Sequence, residues 1–398
     1  MLNRHPRVVI CTASVGCGHT RAATAIRHAI RRARPDASVR IIEVLDYAPR
    51  WFVTGYRDAY LAAIARVPAL AGRMYDATDR PARRPGLSGA IESRALDRLL
   101  HSPCLAKADV IVATHFLAAR VLAFAKQRGV GPAFRAPLAV CVTDRHPHGV
   151  WLVPGADLML VASPDAANIA SAATGAPSLS CGIPIDGDFG AANTCRRDLR
   201  IPERRPVLLA CGGGLGLGGI DLAVNAALTH RGEFHVVAVC GRNEDLRRRL
   251  EPLTREPRPG MPSCQVMGFT TRMPELMAVA GVMVGKPGGL TTAEALASGL
   301  PAVLLKPIPG QEERNASQLV EAGAALLVPD PARAGDAAVD LLLDSARVAR
   351  MCQAARAMGN PRAADDAAAA ILDLAEAKRD AAIREVKPVA GAMMTLST

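Results

Sequence analysis

The chain has 398 residues, half of them apolar and 21% charged, so we expect a globular protein of two ordinary domains. Its net charge of +11 favours anionic partners, such as nucleic acid, acidic lipid or phosphorylated ligands, without choosing among them. The longest apolar stretch, Leu105 to Ala125, is interrupted by charged residues, which argues against a membrane span. The ten cysteines lie singly, and no signal-peptide pattern precedes the first strand, so we expect a cytosolic protein with reduced thiols.

The N-terminal half alternates short apolar strands with helices. "RVVICTAS" is followed by a glycine turn and the helix "TRAATAIRHAIRRA", and "SVRIIEVLDY", "ADVIVATH", "APLAVCVTD" and "LMLVAS" continue the series. The pattern starts again after a polar, proline-bearing segment near Pro202, with "RRPVLLAC", "FHVVAVC", "CQVMGF", "GVMVGK" and "PAVLLK". Buried β-rich runs that alternate with helices predict an α/β protein with two doubly wound parallel sheets.

These repeats divide the chain into domains. We expect a first domain over residues 1–198, a second over residues 199–372, and a C-terminal helix with a flexible tail over residues 373–398. An aromatic and basic insertion at residues 47–90 interrupts the first domain. Because doubly wound sheets bind ligands at the carboxyl ends of their strands, the functional loops should follow "CTAS", "CVTD", "LACGG", "CGRN", "VGKP" and "LLKP".

The turn "SVGCGHTRAA" places His19 at a helix start directly after the first strand. A histidine there can accept a proton from a hydroxyl near neutral pH, and the positive end of the helix favours its neutral form. A single histidine is more often structural, but the flanking glycines after a strand favour a catalytic base.

The insertion at residues 47–90 holds all four tyrosines of the chain, seven arginines, three aspartates and no lysine or glutamate. Aromatic and cationic residues together are typical of a helical segment that faces anionic lipid. The alternative is a solvated face over a buried aromatic cluster, and the arginines and tyrosines would also suit RNA, although no RNA-binding motif is present. The candidate membrane contacts are Trp51, Phe52, Tyr56 and Tyr60.

The segment "CVTDRHPHGVW" groups Asp144, His146 and His148 after a strand of the first domain. Their spacing is compatible with a metal, but no further ligand is evident and His146 adjoins a proline, which is a turn signal. We therefore expect these side chains, Asp144 and His146 above all, to contact the acceptor or to support the cleft.

Two glycine-containing loops follow strands of the second domain. "CGGGLGLGGI" lets the backbone approach a phosphate, although it lacks the ending of a Walker loop and a flexible turn explains it equally well. In "VGKPGGLTTAEALASGLP", Gly288 and Gly289 precede a helix whose free N–H groups and dipole attract an anion. Glu294 lies about one turn further and can accept two hydrogen bonds from a ribose diol, although capping glutamates are also common there.

The segment "PIPGQEERNA" follows the next strand of the second domain. Gln311, Glu312 and Asn315 put polar side chains where a sugar would sit beside the predicted nucleotide site. The alternative is a charged surface helix start, which suits Glu313 and Arg314 well.

The segment "GFTTRMPELMAVAGVMVGKPGGLTTAEALASGLPAVLLKPIPGQEERNA" strongly resembles the monogalactosyldiacylglycerol synthases and the bacterial processive diacylglycerol glucosyltransferases. "SVGCGHTRAA", "VTDRHPHGVWLVPGADLMLVAS", "GIPID" and "CGGGLGLGG" fall in that family's order, so the resemblance runs from about Arg7 to Ala324. The chain is more distantly similar to the transferase that adds N-acetylglucosamine to a lipid-linked peptidoglycan precursor. It departs from the family at Cys17, which interrupts a turn that is usually richer in glycine.

The resemblance implies a GT-B fold with two facing Rossmann-like domains, a UDP-sugar donor, inverting transfer, and no essential metal or other cofactor. It makes His19 the catalytic base and Glu294 the ribose ligand, with the uracil near Phe269 and the sugar near Gln311 and Glu312. It also assigns the aromatic insertion to the membrane and to diacylglycerol. Together with the loops described above, the predicted donor-binding residues are Gly212, Gly213, Gly214, Leu215, Gly216, Asn243, Phe269, Gly288, Gly289, Leu290, Thr291, Glu294, Gln311 and Glu312.

The expected function is transfer of a hexose from UDP-galactose or UDP-glucose to diacylglycerol, or to a related lipid alcohol. The protein would act peripherally on an anionic membrane, at the inner face of the cell membrane, with no nucleic acid partner. The sequence leaves open a UDP-N-acetylglucosamine transferase acting on a polyprenyl-linked saccharide, a GT-B-like UDP-sugar epimerase, and a non-catalytic UDP-sugar sensor. The insertion argues against the epimerase, which needs no lipid.

Overall fold

The computed structural model describes residues 5–58, 75–79, 87–131, 135–191, 194–216 and 218–386. Tyr60 and much of the insertion at residues 47–90 lie outside the described residues. All ten cysteines are free thiols, as predicted. Within the described ranges, no helix combines the length and the apolar character needed to cross a membrane.

Two parallel sheets of six strands each form the framework. The strands of the first sheet are β1 (Arg7–Thr12), β2 (Ser38–Glu43), β3 (Val110–Ala113), β4 (Leu138–Cys141), β5 (Leu158–Val161) and β6 (Ser178–Ser180). Those of the second sheet are β7 (Val207–Cys211), β8 (His235–Val239), β9 (Ser263–Met267), β10 (Val282–Gly285), β11 (Ala302–Leu304) and β12 (Ala325–Leu327).

Helices cover both faces of each sheet. In the first domain they are α1 (Cys17–Ala33), α2 (Arg50–Val53), α3 (Leu87–Ala95), α4 (Asp97–Leu100), α5 (Pro103–Ala106), α6 (Phe116–Arg128) and α7 (Pro164–Thr174). The helices that follow are α8 (Ile220–Ala227), α9 (Glu244–Leu250), α10 (Met273–Val279), α11 (Gly289–Ala297), α12 (Gln311–Glu321), α13 (Pro331–Leu343), α14 (Ser345–Met358) and α15 (Ala363–Val386).

The strand order gives each sheet one point where the chain reverses its direction of travel across the sheet. The orders are β2-β1-β3-β4-β5-β6 and β12-β11-β10-β7-β8-β9, so the reversals lie between β1 and β3 and between β7 and β10. The crevice at the carboxyl ends of strands beside such a switch point is where doubly wound sheets bind ligands. The sequence predicts three of these four loops as functional and omits the loop after β3.

Both faces of each sheet are buried, which explains why the strands are continuously apolar. In β1, Val9 and Cys11 pack into the core on one face, and Val8 and Ile10 pack into the core on the other. The strands of the second sheet divide their side chains between two cores in the same way. The prediction of two doubly wound α/β domains is confirmed.

The last helix, α15, returns from the second domain to the first. Its apolar face, which includes Ile371, is buried in the same core as Ile26 of α1. An ion pair between Arg34 Nη1 and Glu376 Oε1 at 2.9 Å joins the two helices at the surface. The expected division after residue 372 therefore falls inside one continuous helix, whose alanine-rich face packs on the first domain.

Candidate active site

A cleft between the two domains brings both switch points together. Its first wall is formed by the turn before α1 and by the end of β4, and its second wall by the turn after β7 and by the starts of α11 and α12. Among the residues that line it are His19, Arg21, Thr143, Asp144, Gly212, Gly213, Gly214, Leu215, Lys286, Gly288, Gly289, Leu290, Thr291, Gln311 and Glu312. Most of the residues predicted to bind the donor therefore line the same cavity as the predicted base.

His19 is fixed by two contacts from neighbouring strand ends. Its Nδ1 lies 3.0 Å from the carbonyl oxygen of Thr114, after β3, and 2.8 Å from the hydroxyl of Thr143, after β4. Because a carbonyl oxygen only accepts hydrogen bonds, the ring must carry its proton on Nδ1. That tautomer leaves a lone pair on Nε2, which is the atom that can take a proton from a substrate hydroxyl.

The surroundings of His19 keep the ring neutral. Its centroid lies 4.4 Å from the ring of His115, in an edge-on arrangement, and 6.1 Å from that of Trp151. Burial lowers the pKa of His19 to about 4, although the hydrogen bond to Thr114 opposes the shift. The Nε2 lone pair is therefore available at neutral pH.

Asp144 connects the two walls of the cleft. One carboxylate oxygen accepts a hydrogen bond from Trp151 Nε1 at 3.0 Å, and the other accepts one from Gln311 Nε2 of the second domain. Burial raises the pKa of Asp144 to about 7, although the Trp151 hydrogen bond lowers it. Gln311 thus reaches the first domain rather than standing free toward a sugar.

His146 and His148 follow Asp144 in the same loop, and the hydrogen bonds of His148 are with the protein backbone. His148 accepts the N–H of Val150 at 3.2 Å on Nδ1, and its Nε2 lies 2.8 Å from the carbonyl of Tyr75. His146 is half-buried, and burial lowers the pKa of its ring. Across the described part of the chain, no group of three or more His, Cys, Asp or Glu residues could hold a metal ion.

The glycine turn after β7 is shaped by positive φ angles at Gly213 (66°) and Gly216 (61°). A side chain at Gly216 would collide with the Cys240 carbonyl oxygen, because an added Cβ would lie 2.2 Å from it. Asn243 donates its Nδ2 hydrogen to the Gly216 carbonyl at 3.0 Å and caps α9 through its Oδ1. Asn243 therefore supports the turn that is predicted to bind the diphosphate.

Phe269 follows β9 and is 58% exposed. The Arg242 guanidinium lies 4.9 Å from the centroid of its ring. An exposed aromatic ring suits contact with a base, and the uracil is predicted to lie near Phe269.

The start of α11 presents bare backbone. Its N-cap residue, Gly288, makes no side-chain capping bond, and Thr291 lines the cleft one residue after Leu290. An added Cβ at Gly289 would lie 2.5 Å from the Thr143 carbonyl oxygen, whereas the space beside Gly288 is open. Gly289 thus lets the two domains approach each other, and the N–H groups beside it remain available to an anion.

Glu294 is 2% exposed and forms an ion pair across the domain interface. Its Oε1 lies 2.5 Å from Nη2 of Arg21, which belongs to α1. Burial raises the pKa of Glu294 to about 7, against the lowering effect of Arg21. The carboxylate predicted to bind ribose is therefore paired with an arginine of the opposite domain.

Glu312 and Asn315 on α12 are likewise engaged with the protein. Glu312 pairs with Lys286 Nζ at 3.0 Å and accepts the Ile308 N–H at 2.8 Å. Asn315 is fully buried; it donates to the Pro287 carbonyl at 3.1 Å and accepts from the Arg145 N–H at 3.3 Å. The expectation that Asn315 faces a sugar is wrong, because its amide joins the two domains instead.

The described aromatic residues of the insertion differ in exposure. Trp51 is 62% exposed, whereas Phe52 is 5% exposed and stacks on Tyr56 with ring centroids 5.3 Å apart. Tyr56 in turn lies beside Phe116 of α6, at 6.3 Å. Of these three, Trp51 is the exposed ring and Tyr56 is half-buried. The expectation that Phe52 contacts the membrane is wrong, because this ring belongs to the core.

Residues 75–79, from the second part of the insertion, contact both domains. Asp79 accepts the Gly149 N–H of the first domain at 2.8 Å and pairs with Arg314 Nη1 of α12 at 2.5 Å. The Tyr75 ring lies 4.0 Å from the ring of His148 and 5.4 Å from the Arg314 guanidinium. We call residues 75–79 the clasp.

Sequence reasoning missed Arg21, Lys286, Thr114 and Thr143, all of which contact predicted site residues. Lys286 had a usable signal, since it directly follows a buried strand that ends in a functional loop. Arg21, two residues after His19, had the weaker signal of a cation beside a predicted anion site. The two threonines gave no signal, because their partner lies far away in the sequence.

Two family models match separate parts of the chain. Residues 19–185 match the model described as "Monogalactosyldiacylglycerol (MGDG) synthase", and residues 221–366 match the model "Glycosyltransferase family 28 C-terminal domain". The first part of the chain is therefore similar to the monogalactosyldiacylglycerol synthases, and the second part is similar to the C-terminal domain of family 28 glycosyltransferases. The first matched range contains His19 and the second contains Glu294, so the two ranges lie on opposite sides of the cleft.

Two curated relatives share one name. A processive diacylglycerol beta-glucosyltransferase of Staphylococcus carnosus is 30% identical over 54% of this chain and 56% of its own length. One of Bacillus cereus is 29% identical over 65% of this chain and 66% of its own length. The chain thus spans between about half and two thirds of the length of these relatives.

Solved structures share the fold. Acinetobacter baumannii MurG superposes with a TM-score of 0.57 at 16% identity, covering 92% of this chain and 99% of that one. A putative UDP-N-acetylglucosamine 2-epimerase from Listeria monocytogenes gives 0.58 at 12% identity, covering 98% and 100%. The fold of this chain is thus GT-B, as the sequence predicts.

Proposed function

We propose that this protein is an inverting glycosyltransferase that moves a hexose from a UDP-sugar to diacylglycerol or a related lipid alcohol. One observation carries the proposal: His19, with its lone pair on Nε2, shares a cleft with the uncapped start of α11 and the glycine turn after β7. A base for the acceptor and a backbone site for the diphosphate thus face the same space.

The transfer would proceed in one displacement. The hydroxyl oxygen of the lipid attacks the anomeric carbon while Nε2 of His19 takes its proton. The bond from that carbon to the β-phosphate oxygen breaks, and its electron pair leaves with UDP. Attack from the face opposite the departing UDP inverts the anomeric centre.

No metal is required in this scheme. The N–H groups and positive dipole end of α11 stabilise negative charge that grows on the departing diphosphate. No capping side chain occupies the start of this helix, and the space beside Gly288 is open. Chelation of divalent cations should consequently leave the transfer rate unchanged.

The relatives support diacylglycerol as the acceptor, and the membrane as the place of action. Their names specify a beta-glucosyltransferase, and a beta product is what inversion of an α-linked UDP-sugar gives. On this chain, Trp51 and the neighbouring Arg50 are both exposed, which suits contact with an anionic lipid surface. We place the protein peripherally on the inner face of the cell membrane.

Liposomes that contain diacylglycerol and anionic phospholipid, incubated with radiolabelled UDP-galactose or UDP-glucose, test the function directly. We expect a labelled glycolipid from one of the two donors. Label on an added polyprenyl-linked saccharide alone would support the polyprenyl acceptor. Conversion of the UDP-sugar without lipid would support an epimerase, and intact donor in every arm would rule out the transferase.

Trp51→Ala tests the membrane contact by sedimentation with anionic vesicles. We expect several-fold weaker vesicle binding, with UDP binding unchanged. Leu343→Ala is the control, because Leu343 is a similarly exposed apolar residue, 54% accessible, on the second domain. Equal effects of the two substitutions would contradict a specific role of Trp51.

A further inference from the structure

Arg21 contacts the carboxylate that a donor needs. The guanidinium lies 2.5 Å from Glu294, and 46% of its side chain is exposed while Glu294 is buried. Arg21 belongs to the first domain and Glu294 to the second, so the pair spans the cleft. If this pair separates, the exposed guanidinium can be solvated by water. Only the buried carboxylate then needs a new partner.

Two adjoining cavities meet at Arg21. The main cleft holds the glycine turn and the start of α11, and Arg21 lines it. A smaller cavity, lined by Thr20, Thr24, Arg21 and Glu294, lies beside it. Because Glu294 lines only the smaller cavity, a ribose that approaches from the main cleft meets Arg21 first.

The cationic side chains of the main cleft are both neutralised. Among the described residues that line it, the lysine and arginine side chains are Lys286 and Arg21, which pair with Glu312 and Glu294. Glu312 also accepts the Ile308 N–H, so its pair with Lys286 is held from two sides. Arg21 is the more exposed cation and has only one carboxylate partner given by the structure.

We propose that Arg21 exchanges partners when the donor binds. This inference rests on the proposed function, in which the donor is a UDP-sugar. The ribose diol would replace the guanidinium on Glu294, and the released guanidinium would pair with the diphosphate beside the glycine turn. A guanidinium fork matches phosphate oxygens in charge and geometry.

The exchange would link donor binding to catalysis. As the bond between the anomeric carbon and the β-phosphate oxygen breaks, its electron pair stays on that oxygen, where Arg21 offsets the new charge. The acceptor proton passes to His19 at the same step. Because His19 and Arg21 both lie at the start of α1 and line the main cleft, the same helix start would hold both groups against the bound donor.

Calorimetric titration with UDP and with uridine separates the two parts of this proposal. In Arg21→Gln, UDP should bind at least about tenfold more weakly relative to uridine than in the wild type, because the diphosphate loses its cation. Uridine should lose far less affinity than UDP, because it carries no diphosphate for Arg21 to pair with. Arg31→Gln, at an exposed position on the same helix, should leave the ratio unchanged.

The ratio of UDP to uridine affinity decides the outcome. An unchanged ratio in Arg21→Gln overturns the exchange, even if transfer activity falls. Failure of the wild type to bind UDP would instead overturn the proposed function. Arg21→Lys controls for misfolding of Arg21→Gln. It keeps the positive charge but loses the guanidinium fork, so its ratio of UDP to uridine affinity should lie between those of the wild type and Arg21→Gln.

Discussion

The two walls of the cleft use one backbone arrangement for different chemistry. On each wall a strand ends at a switch point, a glycine follows, and a helix begins without a capping side chain. The turn on the first wall carries His19, whereas the helix start on the second wall is bare and its acid, Glu294, lies one turn inside. The fold supplies two ligand-binding edges, and the side chains decide which edge transfers a proton.

Burial acts on both walls in the same chemical sense. It lowers the pKa of His19 to about 4 and raises that of Glu294 to about 7, so both groups are pushed toward their neutral forms. Neutrality suits a base that must accept a proton. It does not suit an acid that must accept hydrogen bonds, which is why a cation from the opposite wall accompanies Glu294.

Replacement of His19 should have the largest effect. We expect His19→Ala to lower the transfer rate by about 10²- to 10⁴-fold, the range for loss of a general base, with UDP affinity unchanged. Because the low pKa keeps the ring unprotonated, the wild type should not lose its base until the pH approaches about 4. The measurement is glycolipid formation against pH, together with UDP titration.

The control for this substitution is His101→Ala, at an exposed histidine that forms a hydrogen bond within its own turn. It should retain the wild-type rate. A His19→Ala enzyme with an undiminished rate would remove the chemical difference between the two walls.

Replacement of Glu294 should have the next largest effect, on binding rather than on chemistry. Loss of a hydrogen bond to a charged acceptor costs about 1.5–3 kcal/mol, so loss of even one of the two ribose hydrogen bonds in Glu294→Ala should weaken uridine binding by at least about tenfold. The measurement is calorimetric titration with uridine.

Protonation of Glu294 gives a second measurement of the same contact. Arg21 and Asp186 are the charged groups that act on this carboxyl, and its pKa is about 7. A fall in pH from about 8 to about 6 should therefore protonate it and weaken uridine binding. Glu294→Gln, which does not titrate, should show a flat profile; a parallel decline would assign the pH dependence to another group.

The sequence predicts the framework of this site well because the signals are local. Strand, glycine turn and helix start are adjacent in the chain, so the loops after β1, β7 and β10 could be recognised from short patterns. Glu294 stands out for the same reason, since it follows its glycines by about one turn.

Partnerships between distant residues could not be predicted in this way. Arg21 meets Glu294 and Thr114 meets His19 only after both domains have folded. Composition also misled: the aromatic cluster near Trp51 suggests one membrane face, yet Phe52 points into the core. Polar residues near a predicted sugar site were overvalued in the same way, because Asn315 satisfies buried backbone groups.

Close approach of the two walls depends on Gly289. In Gly289→Ala the new methyl group would meet the Thr143 carbonyl oxygen, so we expect a loss of about 1–3 kcal/mol in the free energy of unfolding, measured with urea. Gly288→Ala is the matched control, since its Cβ would enter open space at an ordinary φ of −67°. Equal free energies of unfolding for the two variants would mean that close approach of the walls at Gly289 does not stabilise the protein.

The clasp at residues 75–79 should give the smallest effect, and it tests whether the walls also depend on a third element. Burial raises the pKa of Asp79, but the Gly149 N–H and Arg314 outweigh it, so the pKa stays below its ordinary value. The stabilisation by this carboxylate is thus complete at neutral pH and is lost only as the pH falls through that lowered pKa. We expect Asp79→Asn or Arg314→Gln to cost about 1 kcal/mol of unfolding free energy at neutral pH.

A double-mutant cycle distinguishes a real clasp from two independent surface charges. If Asp79 and Arg314 act through each other, the double variant should lose scarcely more stability than either single variant. Arg350→Gln, at an exposed arginine on α14, should change nothing. Additive losses would show that each residue acts separately, and the two walls of the cleft would then be joined mainly by the ion pair of Arg21 and by the hydrogen bonds of Asp144 and Asn315.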